Sequence, residues 1–134
     1  MESLHGSQII LQMARRVFIV EDSPLTRATI SDGLQNLNFE VVGVADCEDD
    51  AKVWLDANPD GWDLAIVDLF LREGTGAGVV RYSRRRGYLQ PIVVVTNHYI
   101  PDIVDHTQRL GADTVLKKSD DLEELWKYCA TLPL

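Results

Sequence analysis

The sequence predicts an open α/β fold in which five parallel strands alternate with five helices around one sheet. Three observations carry that prediction. From Arg15 onward, short apolar runs recur between amphipathic stretches, as repeated βαβ units require. The runs are rich in β-branched residues and do not alternate with polar ones, the pattern of strands covered on both faces. The length of 134 residues suits one domain and leaves no room for a second core of comparable size.

Val17-Phe18-Ile19-Val20 is the first strand. Ser23-Pro24 then supplies an N-cap and a proline at the first helical position, and Ala28, Ile30, Leu34 and Leu37 follow at helical spacing, so a helix is expected over residues 24–37. Val41-Val42-Gly43-Val44 is the second strand. The next helix, residues 49–58, carries Ala51, Val53, Trp54 and Leu55 and stops at Asn58-Pro59-Asp60-Gly61. Leu64-Ala65-Ile66-Val67 is the third strand and residues 76–86 the third helix. Ile92-Val93-Val94-Val95 is the fourth strand, and the helix over residues 101–110 ends at Gly111. Thr114-Val115-Leu116 is shorter, as an edge strand would be, and residues 120–131 form the last helix. Residues 1–14 have no relation to this repeat and are expected to be an N-terminal tail, disordered unless Ile9-Ile10-Leu11 finds something to pack on; the domain itself spans residues 15–134.

Charge and composition remove several functions. A net charge of −8 and a pI near 4.7 repel nucleic acid and anionic lipid, which need a basic face, so neither is an expected partner. The densest basic cluster, Arg84-Arg85-Arg86, reads as the solvated end of a helix. No apolar run approaches the roughly 20 residues that span a bilayer. Cys47 and Cys129 make neither a CxxC pair nor a metal-ligand cluster, and the start does not read as a secretion signal, so a cytoplasmic location is expected.

In an open parallel sheet, ligands bind where loops leave the carboxyl ends of the strands. Glu21-Asp22 ends the first strand, Asp68 the third and Thr96 the fourth, while Lys117-Lys118 follows the fifth. Each residue alone has an ordinary explanation as a helix cap, turn former, strand residue or surface charge. Their joint placement converges three carboxylates, a hydroxyl and an ammonium on one crevice. Three adjacent carboxylates repel one another unless a cation or shifted pKa values relieve them. An open set of hard oxygen donors suits Mg²⁺, which binds one or two carboxylates together with phosphate oxygens. A carboxylate can also serve as the nucleophile of phosphoryl transfer, with Mg²⁺ and a lysine neutralising the transferring oxygens. Asp68 is the best-placed nucleophile.

Val17-Phe18-Ile19-Val20-Glu21-Asp22-Ser23-Pro24, then Asp63-Leu64-Ala65-Ile66-Val67-Asp68-Leu69 with Gly74-Thr75-Gly76, then Gly111-Ala112-Asp113 leading to Lys118, resemble the receiver domains of two-component response regulators. The resemblance covers about residues 15–132 and implies a flavodoxin-like, doubly wound (βα)5 fold with strand order 2-1-3-4-5. It implies that Asp22 ligates Mg²⁺ directly, Glu21 through water, Asp68 as both ligand and phosphoacceptor, and Phe70 through its backbone carbonyl. Thr96 would bind the phosphoryl group, and Lys118 would pair with it. Lys118 is chosen over Lys117 by its spacing from Gly111-Ala112 and because neighbours at a strand end turn oppositely. Phe70 and His98, two residues beyond the acceptor and the threonine, would overhang the approach of water and slow dephosphorylation. The implied partners are a sensor histidine kinase or phosphotransfer protein, and a downstream protein reached through the 101–131 face by a monomer or phosphorylation-dependent homodimer. The domain is expected to be a switch with at most weak self-phosphorylation and self-dephosphorylation rather than an enzyme.

Two positions depart from the family pattern. Val115 stands where an aromatic switch residue is common. Ser119 replaces a proline after the lysine, and a cis bond there would cost about 2.5–4 kcal/mol, so a trans bond is expected. The competing readings are a receiver kept only as a binding module, a Mg²⁺-dependent α/β phosphatase, and a nucleotide-binding protein suggested by Gly74-Thr75-Gly76-Ala77-Gly78. The last fails because a dinucleotide fingerprint needs glycine at Val79 and normally opens the first βα unit. These glycines read instead as a flexible loop and helix start.

Overall fold

The computed structural model describes residues 14–132. The expected tail therefore lies almost wholly outside the described residues. Five strands, β1 (Arg15–Val20), β2 (Phe39–Ala45), β3 (Leu64–Asp68), β4 (Ile92–Thr96) and β5 (Thr114–Lys117), pair in parallel in the order β2-β1-β3-β4-β5. The helices between and after them are α1 (Pro24–Asn36), α2 (Glu48–Ala57), α3 (Gly76–Arg85), α4 (Pro101–Leu110) and α5 (Glu123–Thr131).

Successive strand side chains face opposite sides of the sheet, which splits the core in two. Val17, Ile19, Ile66 and Val93 meet Ile30 and Leu34 of α1 and Leu125 and Cys129 of α5. Phe18, Val20, Val67 and Val94 meet Ala51 and Leu55 of α2, Val79 and Val80 of α3 and Val104 of α4. β1, β3 and β4 are buried almost throughout, which is why they read as unbroken apolar runs. β2 corrects the expectation of two-sided cover. It is an edge, Val44 is 53% exposed, and a bulge between the partners of Val17 and Phe18 shifts its register. Gly43 serves packing here: a Cβ would lie 2.3 Å from the Trp54 indole, which stacks on Phe18 with ring centroids 4.1 Å apart.

Ser23 caps α1, its hydroxyl accepting from the Thr26 N–H, and Thr75 caps α3 through Gly78. The last helix starts at Glu123 rather than at residue 120. Leu122 adopts a left-handed φ of 55°, and the Asp121 carboxylate accepts from both the Ser119 hydroxyl and the Glu123 N–H, so residues 119–122 form a turn. The Lys118-Ser119 bond is trans.

Arg84 is a second correction. Its guanidinium donates to the carbonyls of Gly111, Tyr88 and Gln90 and to the Asp113 carboxylate, tying the end of α3 to the approaches of β4 and β5. Only Arg85 and Arg86 are the exposed helix end that the cluster suggested. Among the described residues, no helix is long and apolar enough to cross a membrane.

Candidate functional site

At the carboxyl edge of the sheet, the ends of β1, β3 and β5 bring Glu21, Asp22, Asp68 and Lys118 to one cleft, while Thr96 at the end of β4 is fully buried and does not line it. The cleft has a volume of about 370 Å³ and is lined by Glu21, Asp22, Asp68, Phe70, His98 and Lys118, among others. Carboxylate oxygens of Glu21, Asp22 and Asp68 all lie within 4.8 Å of one another. Glu21 is 1% exposed and Asp68 7%.

Lys118 reaches across from the end of β5. Its ammonium donates to Glu21 at 2.6 Å and to Asp68 at 3.0 Å. Lys117 is exposed; its backbone N–H donates to Glu124, and among the described residues its side chain makes no hydrogen bond or ion pair. Lys118 and Lys117, neighbours at the end of β5, thus differ in placement, one in the cleft and the other exposed. Burial pushes the Glu21 carboxyl above its ordinary value despite hydrogen bonds from Lys118 and the Ser23 N–H. The same burial works against the Lys118 ammonium, but Glu21 and Asp68 outweigh it and hold its pKa above the usual lysine value. Lys118 pairs with Glu21 and Asp68 but not with Asp22, so three carboxylates are grouped around one paired ammonium in a setting of low solvent access. An all-oxygen, cation-deficient donor set of this kind fits Mg²⁺.

Asp22 is the most accessible of the three, and one of its oxygens accepts the Arg72 N–H from the loop after β3. That loop is closed by a bridge between Phe70 and Thr75 and by the Gly76 N–H donating to the Leu69 carbonyl at 2.8 Å. Gly76 is required by close approach: a Cβ there would lie 2.2 Å from the Asp68 carbonyl oxygen.

The Thr96 side chain is fully buried, and its hydroxyl is held by the backbone of His98, accepting from the N–H at 3.0 Å and donating to the carbonyl at 3.3 Å. The imidazole of His98 meets the Phe70 ring edge to face with centroids 5.5 Å apart, so these two side chains touch each other. Val115 is buried in the core beside Val94, its partner on β4. Ser23, Thr26 and Asn97 also line the cleft. Asn97 was within reach of the strand-end argument, since it directly follows Thr96 at the end of β4.

Comparison with known proteins agrees with this geometry. The chain matches the response regulator receiver domain over residues 17–130. It is 31% identical over 113 residues to the transcriptional regulatory protein PdtaR of Mycobacterium tuberculosis, covering 83% of this chain and 53% of that protein. It is 31% identical over 110 residues to the transcriptional regulatory protein CiaR of Streptococcus pneumoniae, covering 82% and 47%. The chain thus spans about half the length of these curated relatives. Among solved structures, the phosphorylated cyanobacterial phytochrome response regulator RcpA superposes with a TM-score of 0.75 at 26% identity, covering 87% of this chain and 89% of that one. The CheX–CheY–BeF3–Mg²⁺ complex of Borrelia burgdorferi shares the fold, with a TM-score of 0.79 at 16% identity and 84% of each chain covered. Strand order, the cluster of acidic residues and the family match together place the chain in the response regulator receiver domain family of two-component signal transduction.

Proposed function

We propose that this receiver domain is a Mg²⁺-dependent switch that accepts a phosphoryl group on Asp68 from a sensor histidine kinase or phosphotransfer protein. The observation that carries the reading is the Asp68 carboxylate, nearly buried, held by Lys118 at 3.0 Å and grouped with Glu21 and Asp22 within 4.8 Å. Asp22 and Asp68 would hold the cation directly, Glu21 through water, and Phe70 through its backbone carbonyl. When bound, Mg²⁺ supplies positive charge beside the phosphoryl oxygens.

An Asp68 carboxylate oxygen attacks the phosphorus of the donor, forming the acyl phosphate as the bond from phosphorus to the donor breaks. Lys118, already at Asp68, turns to the new phosphoryl oxygens. The Thr96 hydroxyl leaves the His98 backbone for the phosphoryl group, which releases the segment leading into α4. The 101–131 surface carries that change to a protein partner, from a monomer or a phosphorylation-dependent homodimer. An acidic domain of this kind acts in the cytoplasm through protein contacts, without binding DNA or a membrane itself.

The test is incubation with Mg²⁺ and acetyl phosphate, followed by intact mass and mapping of the modified residue. One added phosphoryl group on Asp68 is expected, and none in Asp68→Asn, whose amide keeps the shape but lacks the nucleophilic charge. Undiminished labelling of that variant, or steady turnover of free phosphate esters without a phosphorylated protein, would overturn the proposal.

A further inference from the structure

Gly74-Thr75-Gly76-Ala77-Gly78 has no counterpart in the cleft, apart from Gly76 under Asp68. The other two glycines face a residue 26 and 30 positions earlier in the chain, Glu48 at the start of α2. A Cβ on Gly74, whose φ is +81°, would lie 2.4 Å from the Glu48 Cβ, and one on Gly78 would lie 2.4 Å from its carboxyl carbon. Between those glycines, the Glu48 carboxylate accepts the Thr75 N–H at 2.9 Å, and the Glu48 N–H donates to the Glu73 carbonyl at 3.2 Å. Lys52, one turn along α2, holds the other carboxylate oxygen at 2.8 Å. The glycines form a socket, and Glu48 fills it.

Thr75 is the residue that pairs with Phe70 across the loop, and its hydroxyl caps α3. Fixing Thr75 therefore fixes the backbone of Phe70, two residues beyond Asp68. The same loop offers its Arg72 N–H to Asp22. Two carboxylates thus hold one loop, Asp22, which lines the cleft, and Glu48, which does not.

We infer that Glu48 is a positioning residue for the acidic site: seated in the Gly74–Gly78 socket, it sets the loop that presents the Phe70 carbonyl and orients Asp22. The inference rests on the Mg²⁺ reading of that site, but its geometric half is measurable without metal. Groups that orient metal ligands from behind commonly change affinity by about tenfold or more when removed.

The experiment compares wild type, Glu48→Ala, Glu48→Gln, Gly78→Ala and the Glu48→Ala/Gly78→Ala double variant in the full chain. Mg²⁺ affinity is measured by calorimetric titration with magnesium chloride, and protection of the Thr75 amide by hydrogen exchange without metal. Glu48→Ala should weaken Mg²⁺ binding about tenfold and expose the Thr75 amide, whereas Glu48→Gln, which keeps the acceptor oxygen, should stay close to wild type. Gly78→Ala displaces the carboxylate and should behave like Glu48→Ala. The double variant should be no worse than either single, because both remove the same contact. An unchanged Thr75 amide in Glu48→Ala would overturn the socket, and unchanged Mg²⁺ affinity would overturn the positioning role. So would a Glu48→Gln variant as impaired as Glu48→Ala. Absence of Mg²⁺ binding in wild type would instead overturn the metal reading and with it the positioning role, while the amide measurement would still decide the socket.

Discussion

Phe70 is 43% exposed, and its ring meets the His98 imidazole at the cleft that also holds Asp68. Hydrolysis of an aspartyl phosphate needs a water in line behind phosphorus, and neither side chain offers a carboxylate or amide to orient one. The phosphorylated state should therefore be long-lived. Phe70→Asn and His98→Ala should each shorten it, and a tenfold faster decay needs only about 1.4 kcal/mol of barrier. Decay of the phosphorylated protein in Mg²⁺ buffer measures this; equal rates in all three would show that Phe70 and His98 do not shield the phosphoryl group from water. At the opposite edge of the sheet, Asp63 accepts the Arg16 backbone N–H at 2.8 Å and two guanidinium hydrogen bonds, which hold its carboxyl below the usual aspartate range. A depressed folded-state pKa contributes stability that is present above the unfolded value, near 3.8, and is lost as the pH falls through the folded one. Asp63→Asn should therefore lower the urea midpoint at pH 7, with the gap closing below about pH 4. With the pair's side chains some 40% exposed, solvent screening keeps the ionic contribution under about 1 kcal/mol. A gap independent of pH would assign the effect to the hydrogen-bond geometry alone.

Between elements, α1 and α5 meet through a close fit. A Cβ on Gly33 of α1 would lie 2.3 Å from ring carbons of Trp126 of α5. The indole is not free to swing away, because its N–H donates to the Asp121 carbonyl at 2.9 Å and its ring packs on the α1/α5 side of the core. On an isolated helix, glycine to alanine gains about 1 kcal/mol. Overpacking costs about 1–3 kcal/mol, so Gly33→Ala should lower the melting temperature, and the same change in a Trp126→Ala background should raise it. A rise in both backgrounds would show the fit to be loose. Contacts of this kind also mark the limit of what the sequence discloses. Asp22, Asp68, Thr96 and Lys118 were legible because a strand end dictates where its next residue goes, and the apolar runs announce the strand ends. The Gly33–Trp126 fit, the Arg84 clamp and the Glu48 socket each join residues distant in the chain. Nothing local in the sequence pairs them, and so Arg84 read as a solvated charge and the glycines as a flexible loop. The start of α5 was misplaced for a related reason, since a left-handed leucine leaves no compositional mark.

For the whole molecule, the site is a region of stored repulsion in a chain that already carries a net charge of −8. Folding brings Glu21, Asp22 and Asp68 together, with Lys118 paired to Glu21 and Asp68, a grouping the unfolded chain does not have to maintain. Anything that binds this grouping and not the unfolded chain stabilises the fold by mass action, by about 2.7 kcal/mol at a hundredfold excess over Kd. For a domain of this size, that corresponds to a rise in melting temperature on the order of 10 °C. Mg²⁺ should produce such a rise, saturating with concentration. Sodium chloride of equal ionic strength should produce much less, because screening acts on all surface charges weakly rather than on one cluster. Asp22→Asn removes one carboxylate charge, so it should relieve some of the repulsion in the metal-free protein while abolishing most of the Mg²⁺-dependent rise. The variant is thus expected to match or exceed wild type without metal and to fall below it with metal, a crossing that general charge screening does not produce. Thermal melts of both proteins across a magnesium series measure it, and parallel curves would show that the cation acts on the net charge of the domain and not on the site.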